Sequence, residues 1–390
     1  MDDQQSTIKD NRSILKYLQT QMIVGGFLPS FKIENWILQK MFNFVVHLLR
    51  FYYMAIVALM CFELFHLLPR GDMENVTRNM SLTIPGILMV VKLFVLKSRN
   101  AVKLLNTIIE EEYKIFSCES ISIHNIYFSS VTHAQNCTKI FNIMSLLCGF
   151  AIFIATSLSG LLIEQLQKPL LILDQLSFNE FNKQNHYGLY LTNQNIWIVL
   201  ATLYYNLFLN FYVTLLAFVK AQMKIYFSVQ QLSNHIYRLV NDVNKALKWW
   251  LFVEFALSSI SIASVIIQVT LHSSSMVEVC TIPRDPPCIT FVGFTLVVVI
   301  TLFIQQFILA WFANDVAVES VRISESIYSL EWYKASTNIQ ILFKVAILRS
   351  QKPLFIYLGN FKPLTTQTSL SGLYNYARIS VNIIYPKADF

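Results

Sequence analysis

Long apolar runs separated by polar and basic segments recur along the whole chain, and this alternation indicates its class. A helix needs about 20 mostly apolar residues to cross the hydrocarbon core of a membrane. Seven runs approach or exceed that length, and we interpret each of them as a membrane-spanning helix. In chain order they are Met41–Leu68, Met80–Leu96, Ile140–Ile163, Ile196–Val219, Trp249–Leu271, Cys288–Ala313 and Leu364–Ile384.

Composition supports this interpretation. Of the 390 residues, 55% are hydrophobic and only 14% are charged, and the mean hydropathy is +0.49. A soluble domain carries about 25% charged residues, so this chain has too little polar surface for water. With 10 Gly and 10 Pro, it also lacks the turn residues of a β-sandwich or barrel. The predicted fold is an all-α integral membrane protein with seven transmembrane helices.

The distribution of Lys and Arg predicts the orientation. Most of these 30 residues fall on the side of the N-terminus, which the positive-inside rule assigns to the cytoplasm. The C-terminus is then extracellular. The net charge of +7 is spread over these cytoplasmic segments, without a cluster dense enough to follow a phosphate backbone. We therefore expect membrane lipid, and no nucleic acid, as a partner.

Three cytoplasmic segments are long, polar and helix-like, namely Lys97–Lys139, Lys220–Lys248 and Asn314–Lys362. The last contains Ile339–Leu348, which is too short to span and carries Lys344. It predicts an amphipathic or buried helix on the cytoplasmic side. Outside, the Glu164–Asn195 loop is expected to cover the mouth of the bundle.

Motifs of enzyme chemistry are absent from the sequence: there is no Gly-rich phosphate loop, no His-Glu-x-x-His and no Gly-x-Ser-x-Gly. We predict no enzyme, no catalytic residue and no cofactor. One inner segment holds four possible zinc ligands, but their spacing fits no common zinc pattern and reduced thiols are the simpler interpretation. These four residues are Cys118, His124, His133 and Cys137.

Two kinds of covalent modification are candidates on the predicted extracellular side, a disulfide and N-glycosylation. Cys280 and Cys288 flank a short outer loop and form a candidate disulfide, with free thiols as the alternative. Asn75-Val-Thr77 and Asn79-Met-Ser81 are candidate glycosylation sequons in the first outer loop, although such triplets also arise by chance.

Polar residues inside spans are costly, and they usually face protein or water. Lys92 in the second span either faces the interior or extends to an interface, and the sequence does not choose between these positions. In the last span, polar residues recur along one side of an otherwise apolar helix, which suits a pore wall. They are Ser369, Ser371, Asn375, Arg378, Ser380 and Asn382.

The C-terminal third resembles the insect odorant receptor family. The stretch Ser350-Gln351-Lys352-Pro353-Leu354, followed by Gly359-Asn360-Phe361, is similar to the family's turn before the last span. The layout of seven spans, an inside N-terminus and long inner segments also resembles that family. The last span departs from the family pattern at Ala377–Ile384, where Asn382 takes the position of an apolar gate residue.

The resemblance implies an odorant-gated, non-selective cation channel subunit in the plasma membrane of an olfactory neuron dendrite. It would bind a small volatile apolar odorant and form a heterotetramer with the odorant-receptor co-receptor. The implied regions are a cytoplasmic segment 1–40, six spans with the ligand pocket at 41–313, a cytoplasmic anchor at 314–363 and a pore-lining span with a short tail at 364–390.

The implied pocket lies between spans two, three, four and six in the outer half of the membrane. Its candidate contacts are Ile87, Val91, Phe153, Ser157, Tyr204, Tyr205, Phe291 and Thr295. The implied pore and gate residues are Arg378, Val381, Asn382 and Tyr385, and the anchor motif is Ser350, Gln351, Lys352, Pro353 and Leu354.

Three alternatives stay open at this point. A gustatory-type channel of the same superfamily differs only weakly in the last span. A G-protein-coupled receptor would place its N-terminus outside and carry an Asp-Arg-Tyr-like motif, which is missing. A transporter is disfavoured because the halves show no repeat and paired charges within the spans are scarce.

Overall fold

Long helices account for most of the chain. The computed structural model describes residues 13–14, 18, 21–22, 36–71, 73–118, 120–162, 187–228, 234–279, 286–329, 331–334, 336–372, 374 and 378. The helices are α1 (Trp36–Leu67), α2 (Met73–Leu96), α3 (Arg99–Phe116), α4 (Ile121–Leu162), α5 (Tyr187–Ser228), α6 (Asn234–Val279), α7 (Pro286–Ser329) and α8 (Thr337–Ser350). Short 3₁₀ turns occupy Leu68–Arg70 and Trp332–Lys334, and residues 366–372 are helical.

Within these described residues, five helices are long and apolar enough to cross a membrane, namely α1, α2, α5, α6 and α7. Each contains one of the predicted spans. The predicted third span lies inside α4, where the side chains of residues 155–162 are not described. Of the predicted seventh, only its first turns at 366–372 and residues 374 and 378 are described.

Four helices are much longer than a membrane is thick. The helices α4 to α7 contain 42, 42, 46 and 44 residues. At 1.5 Å per residue each is on the order of 60–70 Å long, about twice the 30 Å hydrocarbon core. Parts of the polar segments predicted as cytoplasmic are therefore continuations of the spanning helices, while α3 and α8 are separate helices within them. The helices begin before the predicted spans at Ile140 and Ile196, because hydropathy identifies only the part of a helix that is apolar.

Helix α5 lies at the centre of the bundle. Every residue from 206 to 219 is buried, so this stretch has no face towards lipid or water. A helix that is apolar around its whole circumference suits a central position. Around it pack buried residues of α3, α4, α6 and α7 in one continuous core.

The N-terminal segment reaches into the same core. Ile14, Leu18 and Met22 are each 2% exposed and join the cluster around α5. Glu112 of α3 accepts hydrogen bonds from Ser13 Oγ and from the Ile14 backbone N–H, both at 2.8 Å. This part of the 1–40 region is thus fixed against α3 and the core around α5.

A two-stranded hairpin, β1 (Tyr357–Leu358) and β2 (Lys362–Pro363), follows α8 and leads into the helical residues 366–372. Gly359 makes its turn with a φ of 57°, a left-handed conformation that glycine adopts without strain. Asn244 of α6 bonds both sides of the adjoining backbone: its Nδ2 donates to Phe355 O and its Oδ1 accepts from Tyr357 N, both at 2.9 Å.

Candidate functional site

An aromatic layer joins α1 to the first half of α5. The buried rings of Tyr53 and Trp197 stack with centroids 6.0 Å apart, and Tyr204 meets Tyr53 edge-on at 5.5 Å. Gly86 of α2 lies against the same layer: a Cβ there would come within 3.1 Å of Val57 Cγ2. The missing side chain therefore lets α2 approach α1 closely.

A buried ion pair lies next to this layer. Lys92 Nζ of α2 is 3.0 Å from Glu254 Oε1 of α6, and the two side chains are 1% and 0% exposed. Gln305 Nε2 of α7 donates a hydrogen bond to the same carboxylate oxygen. Isolated charges are costly within a membrane, so each partner makes the burial of the other tolerable. The structure places Lys92 in the interior and excludes its extension to an interface.

Aromatic rings of α5 complete the surroundings of the lysine. Its Nζ lies 5.3 Å from the ring centroid of Tyr205 and 5.7 Å from that of Phe208, within the range of cation–π attraction. The Tyr205 hydroxyl donates to Thr301 O of α7 at 3.2 Å. Four helices, α2, α5, α6 and α7, thus meet in one polar cluster, which consists of Lys92, Tyr205, Glu254 and Gln305.

The polar cluster retains unused hydrogen-bonding capacity. Among the residues that the structure describes, Glu254 Oε2, Gln305 Oε1 and Ser258 Oγ are buried without a hydrogen-bond partner. Leaving such groups unpaired in an apolar interior costs about 1–3 kcal/mol each. A small molecule with a hydroxyl or carbonyl group could satisfy one of them, which gives this region the polar contacts that an otherwise apolar pocket needs.

The family model described as 7tm Odorant receptor matches residues 229–372. Odorant receptor 10 of Aedes albopictus is 37% identical over 75 residues, and Odorant receptor 67c of Drosophila melanogaster is 27% identical over 131 residues. Parts of the chain are therefore similar in sequence to insect odorant receptors. These alignments cover only 20% and 29% of the two relatives, and 18% and 34% of this chain.

Solved structures extend the likeness in fold to nearly the whole chain. The insect olfactory receptor OR5 from Machilis hrabei superposes with a TM-score of 0.73 at 14% identity, covering 96% of this chain and 98% of that one. The same receptor in complex with eugenol gives 0.68 at 14% identity, covering 95% and 98%. The predicted all-α membrane fold is confirmed. The predicted family is supported by the match of residues 229–372, and the matched relatives are receptors, not enzymes.

Part of the predicted ligand pocket comes together. Tyr204 is buried in the aromatic layer, and Ile87 packs against that layer from α2. Val91, one turn further along α2, packs against the central core, and Tyr205 belongs to the polar cluster. Two predicted spans therefore contribute neighbouring side chains, and their contact with a ligand stays a prediction.

The other predicted pocket residues give less information. Phe153 of α4 is 38% exposed and stacks on Phe150 with centroids 6.5 Å apart, so its ring does not lie in the aromatic layer. Ser157 lies on α4, and Phe291 and Thr295 lie on α7, where their side chains are outside the described residues.

The predicted sequons do not lie in a loop. Helix α2 begins at Met73, so both Asn75 and Asn79 lie in its first turns. Asn79 is 2% exposed, and its Oδ1 accepts a hydrogen bond from Thr83 Oγ1 at 2.6 Å. Polar side chains here bond within the helix, which is why α2 extends beyond its apolar run. Attachment of a glycan to Asn79 is incompatible with this burial, and glycosylation of Asn75 stays a prediction.

Other predicted sites lie partly or wholly outside the described residues. Arg378 is helical and exposed, whereas Val381, Asn382 and Tyr385 are not described. Cys280 is not described either, nor is the side chain of Cys288, so the disulfide stays a prediction. The described residues contain no group of three His, Cys, Asp or Glu side chains that could hold a metal ion.

The anchor motif forms the end of α8 and the turn after it. Ser350 Oγ donates back to Ala346 O at 2.8 Å, and Leu354 N donates to Ser320 Oγ of α7 at 2.9 Å. These bonds fix the direction in which the chain leaves α8. Lys352 and Gln351 are exposed, while Pro353 is half-buried.

The sequence interpretation missed the polar cluster. It treated paired charges within the spans as scarce, whereas Lys92 and Glu254 form such a pair. A signal was present, because the second and fifth spans carry single charges of opposite sign and the sixth carries Gln305 and Gln306. Opposite charges in two apolar helices indicate a contact between those helices.

Proposed function

We propose that the chain is an odorant-gated, non-selective cation channel subunit, which binds a small volatile, largely apolar ligand and opens a pore in a heterotetramer with the odorant-receptor co-receptor. The observation that carries the proposal is the match of residues 229–372 to the odorant receptor family model, supported by the fold match to a solved olfactory receptor over 96% of the chain. That receptor has also been solved in complex with eugenol, a small aromatic odorant.

The ligand is proposed to lie against the aromatic layer, with its polar group towards the polar cluster. Tyr205 is central to this arrangement, because it adjoins Lys92 and also bonds to Thr301 of α7. A ligand that displaces the Tyr205 hydroxyl would change the contact between α5 and α7. This gives binding a physical route to helix movement.

Subunit contacts are proposed to involve the anchor, residues 314–363. Helix α8 supports this, because Ile341, Val345 and Leu348 are 55%, 56% and 65% exposed on one side of it. We propose further that the N-terminus is cytoplasmic, that the last span lines the pore with Arg378, Val381, Asn382 and Tyr385, and that the plasma membrane is the location.

The test is co-expression with the co-receptor in oocytes, with currents recorded under a panel of volatile esters, alcohols and eugenol. We expect odorant-evoked cation currents only when this chain and the co-receptor are expressed together. These currents should persist when GDP-β-S blocks G-protein cycling. Tyr205→Phe already lacks the hydroxyl bond to Thr301 that the ligand is proposed to break, so it should lower the half-maximal odorant concentration. The outward-facing Phe150→Ala should leave it unchanged. Currents abolished by GDP-β-S would favour the G-protein-coupled alternative, and normal currents after deletion of residues 364–390 would exclude the proposed pore.

A further inference from the structure

A basic cleft lies between the first half of α6 and the chain that follows α8. Its volume is about 720 Å³. Three cationic side chains line it, Lys248 from α6 and Arg349 and Lys352 from the end of α8 and the turn after it, and the described lining residues include no Asp or Glu. The amides of Asn241, Asn244 and Asn360 supply further polar contacts.

Two cations of the basic cleft have contacts with neutral groups. Lys248 Nζ donates to Asn360 Oδ1 at 3.0 Å, and the Arg349 guanidinium lies 4.6 Å from the ring centroid of Tyr237. Three positive groups in a cleft whose described lining contains no Asp or Glu favour a positive potential there, which attracts an anionic ligand.

The basic cleft also lies where the lipid-facing surface begins. Lys248 is the last basic residue before the apolar run Trp249–Leu271 of α6. Next to it, Trp249 is 53% exposed and Phe361 of the hairpin is 69% exposed, and Phe361 packs on Phe252 with centroids 5.1 Å apart. Exposed aromatic side chains beside cations are typical of the level of lipid headgroups.

We propose that the basic cleft binds the phosphate-bearing headgroup of an acidic phospholipid. Lys and Arg recognise phosphate oxygens through charge-assisted hydrogen bonds, and the exposed aromatic rings would lie against the adjoining acyl chains. A bound headgroup bridges α6 to the end of α8 and to the hairpin, which continues into the helical residues 366–372. The lipid composition of the membrane would thereby affect how firmly the hairpin holds the start of the last span. This inference does not depend on odorant gating.

The experiment measures lipid binding to the purified full chain by native mass spectrometry. The probes are dioctanoyl phosphatidylinositol bisphosphate, dioctanoyl phosphatidylserine, dioctanoyl phosphatidylcholine and inorganic phosphate. The variant is Lys248→Gln/Arg349→Gln/Lys352→Gln. Each cation near a membrane surface contributes about fivefold, so we expect the variant to bind the two acidic lipids on the order of 100-fold more weakly. Phosphatidylcholine should bind weakly to both proteins.

The matched control removes three exposed cations elsewhere, Lys97→Gln/Arg99→Gln/Lys103→Gln, at the end of α2 and the start of α3. It loses the same net charge and should retain acidic-lipid binding within about twofold of the unaltered chain. Equal losses in the two variants would overturn the proposal by showing a general charge effect. Undiminished binding to the cleft variant, or inorganic phosphate competing as well as the acidic lipids, would also overturn it.

Discussion

Lys92 and Glu254 lie opposite each other inside an apolar bundle, and each is the reason that the other can be buried. Their side chains are 1% and 0% exposed, and Nζ and Oε1 are 3.0 Å apart. Removing one partner of such a pair leaves an uncompensated charge, which costs about 3–5 kcal/mol. Replacing both by groups of similar volume costs far less.

We therefore predict that Lys92→Met and Glu254→Gln each lower the thermal midpoint in detergent strongly, corresponding to about 3–5 kcal/mol. The double variant should be more stable than Lys92→Met alone, because no unpaired charge remains and the new amide can still bond to Gln305. Unfolding followed by intrinsic fluorescence measures this.

The control for the ion pair is the exposed pair Lys334–Glu331, whose side chains are 61% and 66% exposed at 2.7 Å. Lys334→Met should change stability by less than about 1 kcal/mol, since water screens exposed pairs. If Lys92→Met proved as mild as Lys334→Met, the buried pair would not be an energetic unit.

Gly149 marks a close approach of α4 to α5. A Cβ at this position would be 2.9 Å from Thr202 Oγ1 and 3.3 Å from Thr202 Cγ2. The threonine cannot easily turn away, because its Oγ1 donates to Ile198 O at 2.9 Å. We predict that Gly149→Ala destabilises the protein by about 1–3 kcal/mol through overpacking.

The second substitution Thr202→Ala should rescue Gly149→Ala, because it removes both clashing atoms and leaves Thr202 Cβ at an ordinary 3.6 Å. Gly188→Ala is the matched control, since nothing lies within 4 Å of a Cβ there. It should cause no loss of thermal stability. A failure of Thr202→Ala to restore the midpoint would contradict the close approach.

At the level of helices, the sequence predicts which helices are present better than it predicts the residues at which they begin and end. Each apolar run corresponds to a described helix or its beginning, because hydropathy records the part of a helix that must leave water. The start of α2 at Met73 was missed, and the helix-like segment Lys97–Lys139 did not reveal that α4 continues unbroken from Ile121 into the third span. Both helices continue through polar residues that are stabilised by bonds within the helix and by neighbouring helices, which a hydropathy pattern does not contain.

Glu112 connects α3 to two other elements, and its environment predicts a pH effect. Its carboxylate accepts hydrogen bonds from Ser13, the Ile14 backbone and the Tyr127 hydroxyl of α4. Burial raises the pKa of Glu112 above its ordinary value, although these three donors oppose the shift. The folded protein therefore holds the proton more tightly than the unfolded chain.

The stabilisation linked to Glu112 should be complete at low pH, below the ordinary pKa, and should fall as the pH rises through the raised value. We predict that the unaltered chain loses thermal stability relative to Glu112→Gln as the pH is raised from 4 towards 8. Glu112→Ala, which leaves three donors without their acceptor, should cost about 1–3 kcal/mol. As a control, Glu110→Gln on the exposed side of α3 should show the same dependence of thermal stability on pH as the unaltered chain. If Glu112→Gln also showed that same dependence, the pKa of Glu112 would not be raised.

For the whole molecule, the sequence predicts the class and a resemblance to one family but not the arrangement of the helices. The segment Ser350–Leu354 lies within residues 229–372, which the family model matches, so a local motif was enough to indicate that resemblance. It did not reveal that α5 is central, because the run Ile196–Val219 is no more apolar than its neighbours. Which helices meet around Lys92 depends on contacts between distant parts of the chain, such as Lys92 with Glu254, and periodicity within one helix does not encode them.

The exposed side of α8 should control the assembly of this chain with the co-receptor. Ile341, Val345 and Leu348 form an apolar stripe at helical spacing, each more than half exposed. We predict that Ile341→Ser/Val345→Ser/Leu348→Ser lowers co-purification with the co-receptor at least tenfold, since burying each side chain contributes about 1.5–3 kcal/mol. Because the stripe contributes little to the subunit's own core, the thermal midpoint of the single chain should not fall.

The comparison that isolates the stripe uses Val102→Ser/Tyr113→Ser on α3, where the two side chains are 46% and 38% exposed. Both variants exchange apolar surface for hydroxyl groups outside the predicted spans, but only one of them alters α8. Normal assembly of the α3 variant and loss with the α8 variant would mean that the contact is specific to the anchor. Equal losses would mean that assembly responds to general surface polarity, and the proposed role of α8 would have to be abandoned.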